Sequence, residues 1–212
     1  MGSITKGILG GFSGKVGTVV GGTWKGVSFM RSRPEKSSRP PTMKQTIQQA
    51  KFSLVIKFVS TMGPLLMITF NDYAVRMTGI NKVVSYLLKN ALTGSYPNID
   101  LNYGLVMISR GDLHNATNPS ASTRGNGVIL FRWINNAGMG MAKDTDKAIL
   151  VVYCEELNST LYTYTGAERS SLEQSFDCLL FVGKVVHTYI GFISENEKDI
   201  SNSIYTGQMT VS

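Results

Sequence analysis

Apolar residues do not keep one rhythm along this chain. Ile47, Ala50, Leu54, Phe58 and Met62 recur at three- and four-residue intervals, the spacing of one helix face. Thr42-Met43-Lys44-Gln45 fits a capping box directly after Pro40-Pro41, so the pattern predicts a helix over about 43–61, closed by Gly63-Pro64. A second helix is expected over about 81–92, with Asn81 as its N-cap, Val84, Leu87, Leu88 and Ala91 inward, and Gly94 beyond its end. From about residue 103 the rhythm shortens to that of strands. Gly104–Arg110, Val128–Ile134, Lys147–Cys154, Thr160–Thr165, Asp177–Phe181, Lys184–Ser194 and Ser203–Val211 are short β-rich runs, separated by turn clusters such as 115–127 and 135–140. Ile129, Phe131 and Trp133 fall on one face, whereas the 184–194 run is apolar on both. Seven such strands match the count of an immunoglobulin-like or fibronectin-type sandwich, with a Trp and a late-strand Tyr as core partners.

The first 33 residues follow neither pattern. Nine glycines punctuate Ile, Leu, Phe and Val, and two β-branched and aromatic runs, 15–20 and 23–30, flank Gly21-Gly22, which reads as a two-residue hairpin turn. A lone two-stranded ribbon is marginal in water, so this segment needs a surface to lie against. A basic, proline-punctuated linker from Arg31 to Pro41 follows. The expected fold is therefore α+β: an N-terminal β-hairpin arm and linker (1–41), a two-helix segment (42–102) and a C-terminal seven-stranded immunoglobulin-like β-sandwich (103–212).

Composition sharpens the picture in one place. Hydrophobic residues make up 42% of the 212 and charged residues only 17%, which excludes a wholly disordered polyelectrolyte. The charge is lopsided: residues 1–57 hold ten Lys or Arg against Glu35 alone, a balance of +9, while the remainder holds eleven against thirteen acids, −2. A basic arm on a slightly acidic body points to an anionic partner, either nucleic acid, a membrane surface or the body of another copy. Lys15, Trp24, Lys25, Phe29, Arg31, Arg33, Lys36 and Arg39 are the candidate assembly or anion-binding residues, with the aromatics available for stacking. The bland alternative is that these cations only keep a glycine-rich ribbon soluble.

Catalytic chemistry finds no support. Gly14-Lys15 is followed by Val16 where a phosphate loop needs Ser or Thr, and Leu9 stands where its first glycine belongs. His187 sits mid-strand and His114 in a loop without a nucleophile motif. Asp144-x-Asp146 starts like a calcium loop, but Lys147, Ala148 and Ile149 follow, so a solvated turn is expected. Glu155-Glu156 and Glu195-x-Glu197 read as solvent-facing acids. Cys154 and Cys178 have no metal-ligand spacing and read as inert buried thiols. No enzyme activity, cofactor or metal is expected. Lys57 and Gly63-Pro64 interrupt the most apolar window, 52–70, well short of the about 20 apolar residues of a membrane span, so no transmembrane segment is expected. Residues 1–15 lack the apolar run of a secretory signal, which implies cytoplasmic synthesis.

Gly14-Lys15-Val16-Gly17-x-Val19-Val20-Gly21, Trp24-Lys25-Gly26, Met30-Arg31-Ser32-x-Pro34, Arg39-Pro40-x-Thr42 and Gln49-Ala50-Lys51-Phe52 resemble an uncharacterised family of about 210-residue proteins frequent in Bacteroidota. The likeness extends through Ser109-Arg110-Gly111-Asp112-Leu113 to Ser201-x-Ser203-x-Tyr205-x-Gly207, while Met43 and Lys44 depart from the small and acidic residues usual after Thr42, without consequence for the cap. The resemblance transfers a domain of unknown function and no catalytic residue. In architecture the arm, helix start and sandwich also resemble phage structural proteins, and the C-terminal part resembles a fibronectin type III domain. The expected role is non-enzymatic: a subunit that forms homo-oligomers through its arm, alone or with other structural subunits, in a virion or filament. The alternatives are a nucleic-acid-binding module using the arm, and a carbohydrate- or protein-binding sandwich using loops 111–127 and 135–146.

Overall fold

A computed structural model describes residues 2–4, 7, 10–35, 39–70 and 77–212. The chain divides into two compact units, residues 1–43 and 44–212.

The first unit is an antiparallel sheet, not a single hairpin. Strands β1 (Ser3–Ile4), β2 (Phe12–Val16), β3 (Val19–Trp24) and β4 (Val27–Ser32) lie in sequence order. The expected turn at Gly21-Gly22 is corrected: both glycines are mid-strand in β3. The tight turns are Gly17-Thr18 and Lys25-Gly26, which join the Val16–Val19 and Trp24–Val27 pairs. Lys25 and Gly26 have φ of 47° and 82°, the left-handed pair that a two-residue hairpin matching strand twist demands. Gly21 and Gly22 serve close packing instead. A Cβ on Gly21 would collide with the Phe12 carbonyl oxygen and ring, and one on Gly22 would meet the Phe29 ring at 3.0 Å. Each aromatic ring therefore lies across a bare backbone, on opposite faces of the sheet.

The second unit is layered around two cores. Helix α1 (Met43–Ser60) starts directly after Thr42, as the capping pattern predicts; α2 (Gly63–Thr69) and α3 (Gly79–Asn90) follow, so the described residues hold three α-helices where two are expected. Thr78 caps α3, accepting from the Asn81 backbone N–H at 3.3 Å, so Asn81 is a donor within the first turn and not the cap. No single helix among the described residues is long and apolar enough to cross a membrane; α1 and α2 bend by 87° and bury Phe58, Val59, Met62, Leu65 and Leu66. A small hairpin, β5 (Leu92–Ser95) with β6 (Asn98–Leu101), leads to the main sheets.

Those sheets comprise β7 (Thr117–Gly125), β8 (Val128–Ile134), β9 (Lys147–Cys154), β10 (Ser159–Thr163), β11 (Glu173–Asp177), β12 (Val185–Ile193) and β13 (Ile204–Thr210). One has the order β10-β9-β12-β13 and the other β11-β8-β7, all antiparallel. Alternate residues of both sheets, among them Ile129, Phe131, Trp133, Leu150, Val152, Ile190 and Phe192, form one core. The other rows of β9 and β12, Ile149, Val151, Tyr153, Tyr189 and Ile193, join the helices in a second. Trp133 packs edge-on against Phe192 at 5.4 Å, not against a tyrosine.

Three strand assignments move. Residues 104–110 are not a strand: after a 3-10 turn at Tyr103–Leu105, side chains take over the role of a ladder partner. Ser203 Oγ accepts from the Ile108 N–H at 2.9 Å, and a Cβ at Gly111 would strike the Ile200 carbonyl oxygen. Conversely β7 occupies the expected turn cluster 115–127. It is an edge strand with two register shifts and Pro119 at the first, where a missing donor costs no ladder bond. The run expected over Asp177–Phe181 is the end of β11 followed by a 3-10 turn, Leu179–Phe181.

Candidate functional site

Register decides what the basic arm presents. Across β2, β3 and β4, Lys15 pairs with Val20 and Val20 with Arg31; the next row on that face is Gly22 with Phe29, then Trp24 with Val27. Four of the eight candidate residues, Lys15, Trp24, Phe29 and Arg31, thus share one face of one sheet. All four side chains are exposed, Trp24 at 53% and Phe29 at 46%. The remaining candidates are not brought onto that face. Lys25 occupies the β3–β4 turn, Arg33 follows β4 with its N–H donated to the Thr18 carbonyl at 2.7 Å, and Arg39 lies beyond, ahead of α1. Lys36 falls outside the described residues. The opposite face carries Phe12, Val16, Val19, Thr23, Ser28 and Met30. Among the described residues of this unit Gly21 alone is buried.

The sheet also has an open edge. All six residues of β4 are exposed, including Val27 at 68% and Met30 at 71%. The pairs flanking a two-residue turn are hydrogen-bonded, and such pairs alternate along the ladder, so the N–H groups of Ser28, Met30 and Ser32 point away from β3.

The second unit holds ionisable groups that the sequence does not reveal. Arg169 is fully buried. Its guanidinium donates to Asp146 Oδ2 at 3.1–3.2 Å, to Asn136 Oδ1 at 2.6 Å and to the His114 carbonyl at 2.8 Å, and lies 4.2 Å over the Phe192 ring. The Trp133 indole N–H donates to the Arg169 carbonyl at 2.8 Å. Burial lowers the Arg169 pKa and the Asp146 carboxylate opposes it. The solvated turn expected at Asp144–Asp146 is therefore corrected at Asp146: one carboxylate oxygen takes the guanidinium and the Lys143 N–H, while Oδ1 is buried without a hydrogen-bond partner. Only the lone Arg in Glu168-Arg169-Ser170 signals this pair in the sequence, and such a residue ordinarily faces water. In effect Arg169 pins the 111–116, 135–146 and 168–172 loops together.

A tyrosine–histidine cluster closes one end of the helix-side core. Tyr103 stacks on His187 at 3.7 Å, Tyr205 Oη lies 2.9 Å from His187 Nδ1, and Phe58 meets Tyr153 edge-on at 4.8 Å. Burial pushes the Tyr153 phenol up to about 12, with the Glu155 charge adding to it, and raises Tyr103 and Tyr189 as well. Burial likewise lowers the His187 pKa. These shifts disfavour charge; they suit a packed core. Cys154 and Cys178 are free and buried, with the Cys178 thiol raised to about 12 by burial. Among the described residues no group of three or more His, Cys, Asp or Glu is placed to hold a metal ion.

A family model of unknown function matches residues 11–207. The chain belongs to that family, DUF6266. The match spans the N-terminal sheet from β2 onward as well as both cores, so arm and body are parts of one family pattern. No curated protein matches the chain.

Proposed function

We propose that this DUF6266 protein is a non-enzymatic assembly subunit whose copies associate through residues 1–41, β4 adding to an exposed sheet edge of a neighbouring copy. One observation carries the reading: β4 is an edge strand exposed along its whole length, with three N–H groups aimed outward. The near-absence of buried side chains in the same sheet supports it, because a sheet with so little core gains order from a second surface. A virion or filament, with or without other structural subunits, is the setting such a contact suits. The body is read as an immunoglobulin-like sandwich of fibronectin type III kind. Lettering β7–β13 as A–G gives sheets A-B-E and D-C-F-G, so D has moved from its constant-domain sheet to the edge of the other.

Light scattering and electron microscopy of the full-length protein over a concentration series test the assembly. Concentration-dependent oligomers are expected. Met30→Pro, which removes an outward N–H without touching the β3–β4 ladder, should return the protein to monomer, as should deletion of residues 1–30. A full-length protein that stays monomeric at its highest attainable concentration, or a deletion variant that still assembles, overturns the proposal.

A further inference from the structure

The aromatic and cationic face of the N-terminal sheet is separate from the β4 edge, and its chemistry is different. We infer that this face binds single-stranded nucleic acid, with Phe29 and Trp24 as stacking platforms and Lys15 and Arg31 as phosphate contacts.

Three features of the face point to that ligand. Phe29 is braced: the tip of its ring lies 3.0–3.6 Å from where a Cβ on its cross-strand partner Gly22 would stand, so no side chain displaces it, and the ring stays exposed. Trp24 stands one row further along and one strand over, a diagonal step of roughly 7–8 Å. That is about twice the 3.4 Å rise of a stacked strand, so the two rings suit two bases that have parted from one another. Lys15 and Arg31 flank Val20 in the row on the other side of Phe29, placing two positive charges where a backbone running along the strands would pass.

Charge selects the class. The first unit, residues 1–43, holds seven Lys or Arg against Glu35 alone, a balance of +6, which favours a polyanion. Exposed rings favour one with free base faces, and a duplex keeps its base faces stacked inside. The body of another copy is a poorer match, because residues 44–212 hold fourteen Lys or Arg against thirteen acids, a balance of +1. DNA and RNA strands share the chemistry argued here.

Fluorescence anisotropy with labelled oligothymidine and oligouridine of roughly 16 nucleotides and the full-length protein tests the inference. Both strands, or one of them, should bind, and affinity should fall from about 50 to about 200 mM salt with a log–log slope near −0.7 per phosphate neutralised. Trp24→Ala and Phe29→Ala should each weaken binding about fivefold or more, while Trp24→Phe retains it. Lys15→Gln and Arg31→Gln should each reduce the salt slope by about 0.7. Met30→Pro, which breaks the proposed assembly, should leave the affinity within about twofold of wild type on a per-chain basis, so the two readings fail separately. No binding to either strand at the lower salt overturns the inference. So do equal affinity for a duplex or for inorganic polyphosphate, ring variants that bind like wild type, and binding confined to anionic phospholipid vesicles.

Discussion

The two units solve opposite problems with the same antiparallel architecture. In residues 44–212, β9 and β12 are buried on both faces, and apolar side chains fill two cores. In residues 1–43 the sheet leaves Val27, Phe29, Met30 and Trp24 in water and buries a glycine. Burying a large apolar side chain contributes about 1.5–3 kcal/mol, so the second unit has ample reason to be ordered by itself. The first unit holds its shape through turn geometry and rings laid on glycines, and its apolar surface stays exposed. Large apolar side chains are thus buried in one unit and exposed in the other.

Breaking the buried ion pair should have the largest effect. Asp146→Ala leaves the Arg169 guanidinium uncompensated in the core and should cost about 3–5 kcal/mol in chemical denaturation of the full-length protein. A loss below about 1 kcal/mol would show that water reaches the site. Gly21→Val should act on the other unit alone. The new side chain collides with Phe12, so protease cutting within residues 12–32 should accelerate while the main unfolding transition keeps its midpoint.

Titration sharpens the contrast within the second unit. His187 has its pKa lowered by burial, so an unfolded chain takes up this proton more readily than the folded one. Stability from this residue is present above the ordinary pKa of about 6.5 and is lost as pH falls through that region; His187→Gln should flatten the loss. Tyr103, Tyr153 and Tyr189 have raised pKa values, so their contribution is lost as pH climbs past about 10, visible as delayed phenolate absorbance. The smallest effect belongs to the exposed cross-strand pair Arg132–Glu173, held at 3.0 Å: Glu173→Gln should change stability by less than about 1 kcal/mol.

Helix α1 and strand β8 were legible in the sequence because their periodicity coincides with burial, and β9 and β12 because an apolar run of strand length is buried on both faces. Strand β7 was not: Thr117-Asn118-Pro119-Ser120 reads as a turn, and only pairing with β8 makes it a strand. Residue choice revealed the candidate face, but register had to assemble it. A turn at Gly21-Gly22 would pair Val20 with Thr23, setting Lys15 and Trp24 on one face and Phe29 and Arg31 on the other. Turns at Gly17-Thr18 and Lys25-Gly26 put all four together. Glycine in a strand carries no label saying whether it bends the chain or seats a ring. Arg169 lay beyond local reading altogether, because its partners come from loops up to 55 residues away.

Strands β9 and β12 have one further consequence. Each is a shared wall, with one row of side chains facing the helices and the next facing the second sheet. Neither compartment can open without stripping the other of its lining, so heat should take helices and strands apart in a single cooperative step.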